Sequence, residues 1–317
     1  MTTMFDSIAE AHRAIRPQVR VTPMERSTAL SELTGCEIYL KCEHVQHTGS
    51  FKFRGASNKL RRMGQQAKRG VITSSTGNHG QAVALAGRNA GVRVGVYAPS
   101  NAAPSKLDAI RALGAELVLV EGGALAAETA ARHAAEELGL PYISPYNDLD
   151  VIAGQGTVGM EMLEQCPDLD MVCVSVGGGG LVSGIASAYQ ERSPATRIAG
   201  CWPTHAPSMY ASLLAGSIVE VTEHPTLSDG TAGGVEPGSF TFHLCRQLID
   251  DCLLLTEEEI RQAMRLLAHT ERWMVEGAAG VALAGMLKVA PLWQGRKIGV
   301  VLCGRNVALP DFLAAVQ

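Results

Sequence analysis

The octapeptide Thr48-Gly49-Ser50-Phe51-Lys52-Phe53-Arg54-Gly55 sets a lysine between two aromatic rings and among small residues. It follows a predicted strand (Glu37 to Leu40) and stands at the mouth of a predicted helix. An amine is a nucleophile only in its neutral form, and partial burial beside apolar rings lowers its pKa toward that form. This is the setting a Schiff-base lysine requires. By itself the octapeptide also reads as a surface lysine beside a surface arginine, because short motifs match by chance.

Three further segments bear on that choice. In Val174-Ser175-Val176-Gly177-Gly178-Gly179-Gly180-Leu181-Val182-Ser183-Gly184, four glycines join an apolar strand to a helix start. Without side chains, backbone N–H groups can converge on an anion where the helix dipole favours negative charge. A tight turn packing helix on sheet rarely needs four glycines, so the segment reads as a phosphate cradle. The dinucleotide fingerprint GxGxxG fails, since Val182 or Ser183 stands at the third position, and GxxxxGK[ST] is absent. An imine-forming lysine with a monophosphate cradle points to pyridoxal phosphate. Ser74-Ser75-Thr76-Gly77-Asn78-His79-Gly80 lies between a strand and a helix, and its polar groups could hold a carboxylate. Val301-Leu302-Cys303-Gly304-Arg305-Asn306 ends the last strand, where ligands of open α/β sheets sit. Cys303 there could face a ring nitrogen or be a buried core thiol.

The elements that must position these segments alternate. Helix 6–16 stops at Pro17, and strand 37–40 leads to helix 53–63. Strand 71–74, helix 80–89, strand 92–97, helix 104–113, strand 116–120 and helix 124–138 follow. Helix 155–165, strand 171–176, helix 181–189 and strand 197–201 continue the style. A capping box at Thr256 opens a helix to about Thr270. Helix 277–290, strand 297–302 and segment 311–316 finish the chain. This alternation predicts an α/β protein of two lobes with parallel-sheet cores wrapped by helices. Breaks at Lys68-Arg69-Gly70 and Ser144-Pro145-Tyr146-Asn147-Asp148 divide it into a large cofactor-binding domain (1–70 and 148–317) and a small substrate-binding domain (71–147) with a four-strand pattern.

Composition narrows the class. The chain has 317 residues, 46% apolar and 18% charged, with net charge −4 and both signs mixed, as in compact globular proteins. No basic stripe points to nucleic acid, and no apolar run is long enough for a membrane. The first residues carry no secretory signal pattern. The eight cysteines form no CxxC pair, which speaks against a zinc or dithiol site and for a reducing, cytoplasmic setting.

With these segments in hand, the chain resembles the serine/threonine dehydratase and serine racemase family of fold-type II pyridoxal phosphate enzymes, whose fold is tryptophan synthase β-like. The resemblance runs over nearly the whole length: Ser50-Phe51-Lys52, Ser75-Thr76-Gly77-Asn78-His79-Gly80, Ile152-Ala153-Gly154-Gln155-Gly156-Thr157, the four glycines, Glu276 with Ala279-Gly280-Val281, and Cys303-Gly304-Arg305-Asn306. It implies that Lys52 forms the Schiff base and later moves the α-proton. Phe51 would pack near the cofactor ring, and Gly177, Gly178, Gly179, Gly180 and Leu181 would bind its phosphate. Asn78 would bond the ring hydroxyl, while Ser75, Thr76, Asn78 and His79 would surround the substrate carboxylate. Cys303 would face the pyridine nitrogen, with Glu276 on that side. A homodimer acting on a small amino acid is implied as well.

A neutral thiol cannot keep the ring nitrogen protonated as a carboxylate would, which favours loss of a β-leaving group over transamination. The expected reaction is therefore removal of water, then ammonia, from a β-hydroxy amino acid. Departures from the family's patterns refine this. Racemases of the group carry serine where Thr76 stands, so racemisation is the second choice, with Thr76 as its proton-exchanging residue. The metal-binding loop of some relatives is replaced by Cys201-Trp202-Pro203 and Ser208, so no metal is expected there. The chain ends at Gln317, so no C-terminal regulatory domain is expected. A β-replacement enzyme would carry threonine in place of His79, a nicotinamide enzyme would need the missing fingerprint, and a non-catalytic pyridoxal phosphate-binding protein would have lost Lys52. The glycine-rich Ser228 to Gly238 segment reads as a pocket-shaping loop or a surface loop, and points to a specialised substrate such as a hydroxyaspartate, a phenylserine or an intermediate of compatible-solute breakdown.

Overall fold

The computed structural model describes residues 2–317. The chain opens with α1 (Met4–Ile15), capped by reciprocal bonds between Thr3 and Asp6. Strand β1 (Met24–Ser27), α2 (Thr28–Thr34) and β2 (Glu37–Lys41) follow. Next come α3 (Lys52–Met63), β3 (Val71–Ser74), α4 (Asn78–Ala90), β4 (Val94–Pro99), α5 (Pro104–Ala112), β5 (Glu116–Val120) and α6 (Ala124–Leu138). The second half runs α7 (Leu149–Gln165), β6 (Met171–Ser175), α8 (Gly180–Arg192), β7 (Arg197–Pro203), α9 (Ser208–Ala215), α10 (Phe240–Leu248) and β8 (Asp251–Leu255). Helices α11 (Glu257–Thr270) and α12 (Gly277–Val289), strand β9 (Lys297–Val301) and α13 (Leu309–Val316) complete it.

The larger sheet has the order β1-β2-β9-β6-β7-β8 and the smaller one β3-β4-β5. All pairings are parallel except β1 with β2. The almost wholly apolar run at β6 is buried at every position, as a strand covered on both faces must be. The expected four-strand pattern is corrected to three strands. The fourth segment adds only a parallel bridge between Ile72 and Tyr142, since Pro141 has no N–H to extend the ladder and the chain turns at Ser144. Strand β1 escaped the sequence reading because Met-Glu-Arg-Ser is an edge strand with exposed charges and no apolar alternation. No helix of the described residues is long and apolar enough to cross a membrane.

Two apolar cores lie under the sheets. Phe53, Ala56, Leu60 and Met63 of α3 belong to the core of the smaller sheet, together with Val83, Val94 and Val96. The other side of α3 meets α7 so closely that a Cβ on Gly154 would stand 2.6 Å from the Gly55 Cα. Between them, Arg54 is fully buried, which rules out the alternative of a surface arginine. Its guanidinium donates to both oxygens of Glu43 at 2.8 Å and to Glu161 at 2.7 and 2.8 Å. Lys41 donates to Glu161 at 2.7 Å and to the Thr22 carbonyl at 2.8 Å. Burial opposes ionisation of Glu161, yet the Arg54 bonds hold its pKa below the usual range.

Removing one partner of a buried ion cluster leaves uncompensated charge behind. Arg54→Ala is therefore expected to cost about 3–5 kcal/mol, read as a lower urea midpoint. An unchanged midpoint would contradict this account.

Candidate active site

Three adjacent strands of the larger sheet deliver the site. Lys52 follows β2, Cys303 follows β9 and the four-glycine turn follows β6, so all three lie beyond the carboxyl ends of neighbouring parallel strands. The segments are stitched together by backbone bonds. Phe51 N–H donates to the Cys303 carbonyl at 3.1 Å, and Arg305 N–H donates to Gly49 at 3.0 Å. Just before the lysine, Thr48 has φ +61°. A β-branched residue is strained there, at a cost of roughly 1–3 kcal/mol, and such strain concentrates at functional sites. Asn306 Nδ2 holds the Thr48 carbonyl at 2.7 Å.

Lys52 opens α3. Its Nζ lies 5.3 Å from the Phe51 ring centroid and donates to the Pro145 carbonyl at 2.7 Å. Burial pushes its pKa down to about 8, against the pull of Cys303 and Glu276. The amine is thus partly neutral near physiological pH, as a Schiff-base former must be. Cys303 is buried, and burial drives its thiol far above the ordinary range, so it stays neutral. Ser175 Oγ donates to its sulfur at 3.5 Å.

The glycine turn proves more tightly determined than an open cradle. A Cβ on Gly177 would stand 2.8 Å from the Thr231 carbonyl oxygen, one on Gly178 would overlap the Tyr146 ring, and one on Gly179 would meet Cys245 Sγ at 2.8 Å. Gly179 also has φ +87°, which glycine alone takes without strain. Helix α8 starts at Gly180 without a side-chain cap, and Leu181 is buried in its first turn. The N–H groups at such a start are unpaired within the helix, which suits an anion.

The polar segment after β3 places Ser75, Thr76 and Asn78 half-buried and His79 buried. Ser75 Oγ accepts from Gly77 N–H at 3.1 Å. His79 Nε2 lies 3.1 Å from the Ile143 carbonyl, and burial followed by the Lys52 charge lowers its pKa to about 3. The ring is therefore neutral with its proton on Nε2, which leaves Nδ1 as a buried acceptor without a partner among the described residues. Asn78 Nδ2 donates to Glu276 Oε1 at 2.8 Å, and its Oδ1 accepts from Asn306. In this arrangement both ends of the Asn78 amide already have protein partners. Burial, reinforced by Asp229, lifts Glu276 to about 7 although Asn78 and Asn306 donate to it.

The structure thus brings Lys52, Phe51, Cys303, Glu276, Asn78 and His79 into one neighbourhood, with the glycine turn on the adjoining strand. Sequence reasoning missed Tyr146 as a neighbour, and reached Thr231 and Asn306 only as members of longer segments. Tyr146 lay in what read as a lobe junction. Its Pro-Tyr-Asn-Asp context marks a turn but not the direction it faces.

The comparisons with known proteins agree with this geometry. A family model described as "pyridoxal-phosphate dependent enzyme" matches residues 15–304. The chain belongs to that family. It is 41% identical over 309 residues to an L-threonine ammonia-lyase of Thermotoga maritima, covering 97% of this chain and 76% of that one. It is 36% identical to a serine racemase of Dictyostelium discoideum, covering 97% and 96%. A solved threonine deaminase isoform 2 from Solanum lycopersicum superimposes with a TM-score of 0.94 at 33% identity, covering 98% of this chain and 92% of that chain. The fold is fold-type II, and the cofactor is pyridoxal phosphate. The residues fit it: a buried amine of lowered pKa, an uncapped helix start for the phosphate, a neutral thiol, and unpartnered acceptors at Ser50 Oγ and His79 Nδ1.

Two outcomes follow from this electrostatic picture. The rate at which cofactor-free protein takes up pyridoxal phosphate should rise with pH through a midpoint near 8, because only the neutral amine attacks and Lys52 loses its proton there. Stopped-flow absorbance reads this, and a flat profile from pH 7 to 9 would refute it. Gly178→Ala must displace the Tyr146 ring and should weaken cofactor binding by about tenfold or more in a folded protein. Fluorescence titration beside circular dichroism separates the two effects.

Proposed function

We propose that this protein is a pyridoxal phosphate-dependent dehydratase that removes water and then ammonia from a β-hydroxy amino acid, leaving a 2-oxo acid. The observation that carries this reading is the partly neutral Lys52 amine close to a thiol, Cys303, that stays neutral. Similarity to ammonia-lyases supports it, and similarity to serine racemases keeps racemisation as the outcome a test must exclude.

The chain's own residues are assigned as follows. Gly177 to Gly180, with the N–H of Leu181, hold the phosphate, and Phe51 packs beside the ring. Asn78 is assigned to the ring hydroxyl, an assignment that requires one of its present amide partners to give way. Ser75, Thr76, Asn78 and His79 line the carboxylate position, where neutral His79 offers no charge and the helix start of α4 supplies donors. Bound there, pyridoxal phosphate supplies the electron sink for the bond pair at Cα. Lys52 Nζ takes the α-proton and, as an ammonium, hands it to the departing hydroxyl, which leaves as water. The unsaturated amine then takes up water and releases ammonia. Cys303 cannot hold a proton on the ring nitrogen as a carboxylate would, so elimination is favoured over transamination. Thr76 is the group that would serve racemisation, with its methyl crowding the approach.

Residues 1–70 with 148–317 are read as the cofactor-binding unit and 71–147 as the substrate-binding unit. The segment Ser228 to Gly238 shapes the side-chain pocket, which its contact with Gly177 through Thr231 supports. A specialised substrate such as a hydroxyaspartate or phenylserine fits that role. Eight unpaired cysteines, seven of them buried, support a reducing cytoplasmic setting, and a homodimer is the proposed assembly.

Borohydride trapping followed by peptide mapping should label Lys52 alone, and label on another lysine would overturn the assignment. Lys52→Ala should lower turnover by roughly 10²–10⁴-fold or more. A panel of serine, threonine, hydroxyaspartates and phenylserines, scored for 2-oxo acid and for chirality of the remaining substrate, decides between elimination and racemisation. Inversion without 2-oxo acid would refute the dehydratase reading.

A further inference from the structure

The segment between β7 and α10 reaches the site at three points. Thr231 lies against Gly177, a Cβ on Gly230 would stand 3.6 Å from Glu276 Oε1, and Glu236 N–H donates to Tyr146 Oη at 2.9 Å. Two of its acidic residues, Asp229 and Glu236, also pair with helices that pack beside the smaller sheet. Asp229 meets Lys106 of α5 at 3.0 Å, an exposed pair of small worth.

Glu236 is held far more firmly. Its side chain is 26% exposed and accepts from Arg132 of α6 and, at 2.8 Å, from Asn147 Nδ2. Arg132 is itself fixed by Glu128 one helical turn away and lies 4.4 Å above the Tyr142 ring. Asn147 Oδ1 in turn accepts from Phe240 N–H at 2.9 Å. Backbone and side chain of one residue therefore grip both Tyr146 and Asn147. Those two residues continue the turn whose Pro145 carbonyl accepts from Lys52 Nζ, and Tyr146 covers Gly178 with its ring and Gly180 with its backbone and Cβ.

We propose that Glu236 is a positioning residue for the reaction. Clamped by Arg132, it fixes Asn147 and Tyr146, and through them it sets the aromatic wall of the phosphate turn and the Pro145 carbonyl at the Lys52 amine. Arg132 and Glu236 belong to elements attached to different sheets, so the ion pair ties helix α6, beside the smaller sheet, to the segment that shapes the glycine turn. The inference rests on the assignment of Lys52 and the glycine turn to pyridoxal phosphate, but not on which amino acid is the substrate.

The test uses full-length wild type, Glu236→Ala, Glu236→Gln, the exchanged pair Arg132→Glu/Glu236→Arg, and Tyr146→Phe. Cofactor affinity is read by fluorescence titration of cofactor-free protein, kcat and KM with the best substrate of the panel, and the unfolding midpoint by urea. Glu236→Ala should weaken cofactor affinity and lower kcat, each roughly 10-fold, with a smaller change in KM. Glu236→Gln keeps an oxygen for Asn147 and should stay nearer wild type. The exchanged pair restores the ion pair without the Asn147 bond and should recover part of the loss. A lowered unfolding midpoint with unchanged cofactor affinity and kcat would overturn the proposal, because that is what a purely structural tie gives. Should Glu236→Ala not fold, Tyr146→Phe and Glu236→Gln decide. Tyr146→Phe removes the hydroxyl that Glu236 N–H reaches and should weaken cofactor affinity severalfold, and wild-type affinity in both variants would overturn the proposal. If wild type itself takes up no pyridoxal phosphate, the cofactor assignment fails instead, which is a different result.

Discussion

Arg54 carries its charge into the interior between Glu43 and Glu161, two residues along the helix from Lys52. With Lys41 it forms a cluster of two cations and two anions, all at most 1% exposed. Such a cluster is costly to assemble and costlier to leave incomplete, so it tolerates few alternative arrangements. It joins the first turn of α3 to the chain after β2 and to α7. The Gly55 and Gly154 contact brings those two helices close enough for the guanidinium to reach both carboxylates. The position of the amine at the mouth of α3 is a consequence of that buried electrostatic knot.

At the site, burial moves four titratable groups toward their neutral forms. Lys52 and His79 fall, while Glu276 and Cys303 rise. A site of this kind has few formal charges of its own. Anions entering it meet backbone N–H groups at the starts of α4 and α8, whose dipoles point the right way and need no counter-ion. The same dryness suits both roles proposed for Lys52, nucleophile and proton carrier, because each needs a pKa near the working pH.

The glycine turn joins the two themes. Its glycines leave donors free for a phosphate, and they also admit Thr231, Tyr146 and Cys245 at distances no side chain would permit. The turn is therefore shaped from behind by three distant segments. One of these, Tyr146, is held by the strap that carries Glu236.

Much of this was legible along the chain. The alternation of strands and helices, the capping box at Thr256 and the order of chemical segments are local, set by side-chain periodicity, hydroxyls at helix starts and glycines at turns. Strands β3 and β5 and helix α6 fell where those signals placed them. Edge strand β1 and strand β8 were not legible, because their sequences lack alternation and their pairing is settled by the neighbour they meet. The burial of Arg54 was not legible for a related reason: its partners lie 11 and 107 positions away. The sequence by itself determined the kinds of chemistry available, a lysine, a glycine turn and a thiol at strand ends. Only the tertiary structure decided that burial lowers the pKa of the amine, that His79 carries no charge and that Tyr146 walls the glycine turn. Protonation and shape depend on how fully remote segments exclude water from a point, and no local run of residues encodes that.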